Sequence, residues 1–298
     1  MMTEKQSNFI TRAIFGILFV VVMVGSFTRP DFMVGLFAII TGLTIWEYTG
    51  LVNGIKGVSV NRLISTIAGI YFFLAVAGIE LGMVRGFVIF VPYILCVVYL
   101  LVAELYLKNE NPIHSWAYTM LGQMYITLPL SLINILAFGS GDSEAMAEPN
   151  MLLPLSIFIL LWTNDTGAYC TGSLFGKHKL FPRISPGKSW EGSIGGGVLS
   201  LIVAGLIGYW ANNNGEVQSL NIPVWIGLGL VVVVFGTWGD LVESLFKRTI
   251  GVKDSGKILP GHGGMLDRFD SSLLAIPAAV VYILSLIHIS EPTRPERI

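Results

Sequence analysis

Charged side chains are concentrated between residues 244 and 270, in a chain whose charges are otherwise sparse. The segment reads SLFKRTIGVKDSGKILPGHGGMLDRFD and lies between two apolar stretches. Its cations can bind phosphate oxygens, and its carboxylates are the hard oxygen ligands that divalent cations prefer. With Asp240 just upstream, the charged residues are Lys247, Arg248, Lys253, Asp254, Lys257, Asp267, Arg268 and Asp270. The segment therefore predicts a site for phosphates and a metal ion.

The glycines of this segment have a physical use. Pro260, Gly261, Gly263 and Gly264 surround His262 and predict a turn with few side chains, in which backbone amides can approach an anion closely. Asp267 and Asp270 are three residues apart and would share one face of a helix that begins there. Together with Asp240, we expect them to hold one or two hard cations against a triphosphate.

A second basic segment, GSLFGKHKLFPRISPGKSWEGSIGGG, begins at Gly172. Its GKS triplet imitates the end of a P-loop, but Pro182 occupies the position of the required glycine, so a Walker-type NTPase is disfavoured. The residues that lead into the following helix can hold an anion through backbone N–H groups and a lysine. They are Ser185, Lys188, Ser189, Glu191 and Gly192. The alternative is an ordinary basic loop.

Two aspartates lie within apolar runs, Asp165 in WTNDTGAY and Asp240 in GTWGDLVES. A carboxylate at such a depth costs several kcal/mol unless it is paired, hydrated or bound to a metal, so we expect a functional role for both. A salt bridge or a hydrated helix end is the alternative. Glu47 and Glu104 lie near helix ends without a surrounding motif, and we expect them to be structural.

Composition defines the elements that position these residues. Hydrophobic residues make up 53% of the 298 and charged residues 12%, and the mean hydropathy is +0.72, which excludes an ordinary soluble domain. Apolar stretches of about 20 residues, the length that spans a bilayer, predict eight helices, with a ninth beginning at Ser272. They lie near 10–28, 31–51, 62–81, 86–106, 116–139, 152–172, 193–211 and 222–243. The predicted fold is an all-α polytopic membrane protein, a bundle of about eight to nine transmembrane helices.

The distribution of basic residues predicts the orientation of the bundle. With the N-terminus in the cytoplasm, nearly all lysines and arginines fall on the inner side, and the outer side receives only Arg29 and Arg85. This asymmetry follows the positive-inside rule. Both basic segments, 173–192 and 245–271, and therefore the active site, are expected at the cytoplasmic interface.

The C-terminus is interpreted separately. Residues 284–294 read LSLIHISEPTR, the translation of a nucleotide string that resembles a transposase adapter used in sequencing libraries. We interpret residues 284–298 as derived from such an adapter and therefore not native. His288 and Arg294 are accordingly not site candidates. The expected unit is a single integral membrane domain over 1–283, with its motifs in 152–283.

The charged pattern resembles the signature of the phosphatidate cytidylyltransferases, the CDP-diacylglycerol synthases. The matching positions are Ser244, Lys247, Arg248, Lys253, Asp254, Gly256, LPGHGG at 259–264, Asp267, Arg268 and Asp270. The resemblance extends upstream to Asp165, Ala168, Tyr169 and Gly172, and to SPGKSWEG at 185–192. This chain has Gly187 where the family more often has a second lysine. The resemblance at the level of motifs covers about the last half of the chain.

The resemblance implies an enzyme of phospholipid biosynthesis that converts CTP and phosphatidic acid into CDP-diacylglycerol and pyrophosphate. It implies that Asp240, Asp267 and Asp270 hold Mg²⁺, with a second cation such as K⁺, and that Lys247 and Arg248 complete the catalytic set. The substrate-binding residues would be Asp165, Ser185, Lys188, Ser189, Glu191, Ser244, Lys253, Asp254, Gly261, His262, Gly263, Gly264 and Arg268. The expected partners are CTP, phosphatidic acid in the bilayer and a second copy of the chain, with no nucleic acid. The expected location is the inner (cytoplasmic) membrane.

Two other classes of function stay open. A related enzyme would use CTP to phosphorylate a lipid alcohol of the polyprenol type, a reaction that needs a base to activate the hydroxyl group. A transporter would explain the number of spans and Asp165, but not a basic, glycine-rich segment confined to one face.

Overall fold

The structure is a computed structural model that describes residues 4–139, 149–215, 220–256, 258 and 263–290, with side chains described between residues 13 and 286. Twelve α-helices, a 3-10 helix (Phe87–Phe90), a π-helical stretch (Gln123–Thr127) and two short strands make up this part of the chain. The N-terminal helices are α1 (Glu4–Ser26), α2 (Pro30–Val52), α3 (Arg62–Glu80), α4 (Val91–Leu107), α5 (Pro112–Gly122), α6 (Leu128–Ser131) and α7 (Ile133–Phe138). The C-terminal elements are α8 (Leu152–Phe175), β1 (Lys179–Phe181), β2 (Ser185–Ser189), α9 (Trp190–Asn214), α10 (Ile222–Ile250), α11 (Leu266–Phe269) and α12 (Ser272–Ser290).

Seven helical segments in the described part of the chain are long and apolar enough to cross a membrane. With α1 and α8, nine long helical segments correspond to the nine apolar stretches in the sequence. The structure thus confirms an all-α polytopic membrane protein.

Two local features differ from the prediction. The span expected at 116–139 is a broken helix, in which a π-helical stretch, Gln123–Thr127, separates α5 from α6. Pro129 has no N–H to continue an α-helical ladder, and this explains why the break lies here. The basic segment before α9, for which no strands were predicted, forms an antiparallel hairpin of β1 and β2, with Lys179 opposite Ser189.

Close contact between α8 and α9 depends on small residues. A Cβ added at Gly167 would lie 2.9 Å from the Cα of Gly196. A Cβ added at Gly196 would collide with the carbonyl oxygen of Asn164. Such glycines allow two backbones to approach where larger side chains would separate the helices. The contact places the helix that contains Asp165 beside the helix that follows Lys188.

An aromatic cluster packs the N-terminal half of the bundle against the segment that contains the aspartates. The ring of Phe37 on α2 lies 5.6 Å from that of Phe158 on α8 and 6.1 Å from that of Phe269 on α11. Phe37 and Phe269 are fully buried. Burial of three aromatic rings at such edge and tilted contacts anchors α11, and with it Asp267 and Asp270.

Gly196→Ala is expected to lower the free energy of unfolding by about 1–3 kcal/mol, because the added methyl group overpacks the contact between α8 and α9. The measurement is the thermal unfolding midpoint of the purified protein in detergent. Gly35→Ala on α2 is the matched control, since no atom lies within 4 Å of a Cβ added there. An equal midpoint for both variants would contradict the close contact.

Candidate active site

The two basic segments meet at one end of the bundle. Lys188 Nζ on β2 lies 2.5 Å from Asp240 Oδ2 on α10, and both side chains are about one quarter exposed. The hairpin directs Lys188 towards α10, because Ser189 ends β2 and caps α9 by accepting a hydrogen bond from the Gly192 amide, 3.1 Å away. Residues 52 positions apart thus form one ion pair.

Three aspartates lie within electrostatic range of one another around this ion pair. Asp270 interacts with both Asp240 and Asp165, and Lys188 offsets part of their repulsion. Arg268 is the second cation that interacts with Asp165. Gly239 brings α10 close to the start of α12, since a Cβ there would lie 2.6 Å from the carbonyl oxygen of Asp270. We name Asp165, Asp240 and Asp270 the acidic trio.

Lys247 forms a second charge cluster two turns beyond Asp240 on α10. Its Nζ lies 2.6 Å from Glu243 Oε2 and 2.6 Å from Asp267 Oδ1. The Glu243 side chain is fully buried, and only 13% of the Lys247 side chain is exposed. One ammonium group thus neutralises two carboxylates that would otherwise be buried without a cation, an arrangement that is stable only while all its members are present.

Asp267 also orders the segment that joins α10 to α11. Its Oδ2 accepts hydrogen bonds from the Ser255 amide (2.9 Å) and the Gly264 amide (2.8 Å). Gly263, at φ +83°, supplies the left-handed turn next to it, a conformation that glycine adopts without strain. The sequence suggested that the amides of this turn would bind an anion, and in the structure the Gly264 amide already binds the carboxylate of Asp267.

The other predicted site residues divide into those that lie in the site, those that lie in the hairpin and those that are exposed to solvent. Ser244 Oγ donates to Asp240 Oδ1 at 3.2 Å, which places it in the site. Glu191 accepts from the Lys177 and His178 amides and lies 2.6 Å from His178 Nδ1, so it closes the hairpin. Ser185 lies in β2, and Arg248, Lys253, Asp254 and Arg268 are exposed to solvent. Gly261 and His262, with Lys257 and Pro260, lie outside the described residues.

Sequence reasoning missed three groups near the site. Glu243 lacked a recognised motif, although its spacing of four residues from Lys247 was a signal. Glu47 was expected to be only structural, yet it accepts hydrogen bonds from Ser255 and Leu266. The Tyr125 hydroxyl is buried, has no hydrogen-bond partner among the described residues and interacts electrostatically with Asp240, Asp270 and Glu243. Tyr125 lies in the π-helical stretch, which the sequence did not reveal.

The predicted metal ligands fall into two groups. Asp240 and Asp270 belong to the acidic trio, whereas both oxygens of Asp267 already accept from Lys247 and from backbone amides. Over the described residues, no three His, Cys, Asp or Glu side chains form a ready-made metal cage. The trio offers carboxylate oxygens, the ligand type that hard cations prefer, and its like charges repel one another, with Lys188 and Arg268 as counter-charges.

Lys247→Met is expected to lower the free energy of unfolding by about 3–5 kcal/mol, because it leaves Glu243 and Asp267 buried without a cation. Arg248→Met, which removes the neighbouring exposed cation, should change it by about 0.5 kcal/mol or less. Denaturation of both variants in detergent, followed by tryptophan fluorescence, measures the difference. Equal stability of the two would show that Lys247 does not hold this cluster together.

Comparison with known proteins identifies relatives. The phosphatidate cytidylyltransferase of Haemophilus influenzae is 50% identical over 127 residues, 43% of this chain and 44% of the relative. That of Staphylococcus aureus (strain COL) is 49% identical over 130 residues, 44% of this chain and 48% of the relative. The chain thus matches about half the length of these curated relatives. The model of the cytidylyltransferase family matches residues 9–286, nearly the whole sequence, and the chain therefore belongs to the cytidylyltransferase family.

Proposed function

We propose that the protein transfers CMP from CTP to phosphatidic acid, which yields CDP-diacylglycerol and pyrophosphate. The observation that supports this most directly is the contact between Lys188 and Asp240, which joins two distant basic segments into one polar site in an apolar bundle. Family membership and the names of the curated relatives agree with this chemistry.

The reaction requires charge neutralisation more than proton transfer. An oxygen of the lipid phosphate forms a bond to the α-phosphorus of CTP, and the bond from that phosphorus to the bridging oxygen of the β-phosphate breaks. The electron pair leaves with pyrophosphate. Because the attacking phosphate is already an anion, no base has to activate it, and catalysis consists mainly of in-line positioning and stabilisation of charge.

We propose that cations of the site carry out this task. Lys188 and Lys247 are paired with carboxylates on two successive turns of α10, so both ammonium groups lie along one face of the site. We propose that they bind phosphate oxygens of CTP and of the lipid, and that the exposed Arg248, Lys253 and Arg268 attract the triphosphate from water. Ser244 would orient Asp240 through its hydrogen bond.

We further propose that Asp240 and Asp270, assisted by Asp165, hold Mg²⁺. Bound there, the metal ion would supply positive charge to the nucleotide phosphates and the leaving pyrophosphate. Neutralisation of Asp240 would release Lys188 to bind a phosphate oxygen. The role of Asp267 as a metal ligand and the second cation stay predictions, since both Asp267 oxygens bind protein groups in the structure.

The membrane setting suits two substrates of different solubility. Phosphatidic acid would stay in the bilayer while CTP and Mg²⁺ reach the same end of the bundle from water. The positive-inside distribution supports a multi-pass protein of the inner membrane with its N-terminus and active site in the cytoplasm. The homodimer implied by the family resemblance stays a prediction.

Formation of CDP-diacylglycerol from radiolabelled CTP and phosphatidate in detergent micelles tests the proposal. We expect product that depends on Mg²⁺ and that falls by at least about 100-fold in Asp240→Asn, because removal of one centre of charge stabilisation costs a factor of this order. Asp31→Asn is the matched control. Asp31 is exposed in the first turn of α2, at the end of the helix away from Glu47, and it pairs with the neighbouring Arg29.

Each alternative has a distinct result in the same assay. A phosphorylated lipid alcohol, formed from CTP when polyprenol replaces phosphatidate, would indicate the kinase. Folded protein that does not turn over CTP with either lipid would contradict both enzyme activities and favour transport. Full activity in Asp240→Asn would preserve the reaction but refute the metal site.

A further inference from the structure

Glu47, on the second helix of the chain, is buried beside the segment between α10 and α11. Its residue surface is 7% exposed. Its Oε2 accepts a hydrogen bond from the Leu266 amide at 2.9 Å and another from Ser255 Oγ at 3.2 Å. These partners are more than 200 residues away in the sequence. A carboxylate is rarely buried without a specific purpose, since its desolvation must be offset by such bonds.

Two glycines make room for this carboxylate. A Cβ added at Gly256 or at Gly264 would collide with an oxygen of Glu47. The backbone on both sides of the turn is therefore packed directly against the carboxylate. Side chains larger than hydrogen at these two positions would displace either Glu47 or the turn.

Ser255 connects Glu47 to the charge cluster of Lys247. Its hydroxyl donates to Glu47, and the same oxygen accepts from the Asp267 amide at 3.3 Å. Its own amide donates to Asp267 Oδ2, and Asp267 Oδ1 pairs with Lys247. The chain of contacts runs from Glu47 through Ser255 to Asp267 and Lys247 without a gap.

We infer that Glu47 is a positioning residue, which holds Ser255 and Leu266 against α2 and thereby fixes Asp267 and Lys247 for the reaction. The expected effect on kinetics rests on the proposed function. The expected effect on the structure rests on geometry alone. Among the described residues, no hydrogen bond joins Glu47 to the acidic trio. Its action is indirect, through the turn.

The chain offers a matched control in Glu104. This glutamate is 8% exposed, lies near the end of α4 and accepts a hydrogen bond from Asn109 Nδ2 at 2.7 Å. Burial and charge are thus nearly the same as for Glu47, but its partner is a local side chain away from the site. The effect of removing any buried carboxylate can therefore be separated from the specific effect of removing Glu47.

Kinetics of three variants test the positioning role. In folded Glu47→Ala protein, we expect kcat/KM for CTP to fall at least about tenfold, through a higher KM or a lower kcat. Small misplacements of reacting groups cost factors of this size. Glu47→Gln should stay within about threefold of the wild type, because both hydrogen bonds go to one oxygen, which an amide retains. Glu104→Ala should stay within the same limit.

Hydrogen–deuterium exchange provides a readout independent of turnover. Peptides that cover 252–268 should exchange faster in Glu47→Ala than in the wild type, Glu47→Gln or Glu104→Ala. Unchanged exchange would overturn the inference even if activity fell. Faster exchange with unchanged kcat and KM would reduce Glu47 to a purely structural role and also overturn it. A wild type without CTP turnover would refute the proposed function, while exchange would still decide whether Glu47 holds the turn.

Discussion

The site depends on the need to neutralise carboxylates that are buried or partly buried in an apolar bundle. Asp240, Glu243 and Asp267 would each be costly in this setting without a cation or a donor, and Lys188 and Lys247 supply the compensation. Each lysine joins elements that are distant in sequence, β2 to α10 and α10 to α11. Charge compensation therefore assembles the polar end of the bundle and leaves the same cations beside the place where phosphates would bind.

Small residues make this compensation geometrically possible. Gly196 lets α9 approach α8, and Gly239 lets α10 approach the Asp270 backbone. Gly256 and Gly264 let their backbone approach the carboxylate of Glu47 closely. Where no hydrophobic force distinguishes a neighbouring helix from lipid, such close contacts and the hydrogen bonds they permit hold the helices together. The glycines thus determine the distances between charges.

Much of this arrangement could be predicted from the sequence. Apolar length predicted the spans, and the positive-inside distribution predicted that the basic segments 173–192 and 245–271 would lie on the same side of the membrane. In the structure, the ion pair of Lys188 and Asp240 joins the first segment to α10, a few residues before the second segment begins. The contacts of Glu47 could not be predicted, because its partners lie more than 200 residues away and no local pattern marks the residue. The separation of Asp267 from Asp270 was also hidden, since α11 ends between them and their side chains bind different partners.

In the proposed reaction, the phosphate of the lipid attacks the α-phosphorus of CTP. The most direct test uses phosphatidate whose phosphate oxygens are labelled with ¹⁸O, unlabelled CTP and mass spectrometry of both products. We expect CDP-diacylglycerol that retains all of the label and pyrophosphate that contains none. Label in pyrophosphate, or CTP consumed without labelled CDP-diacylglycerol, would contradict it.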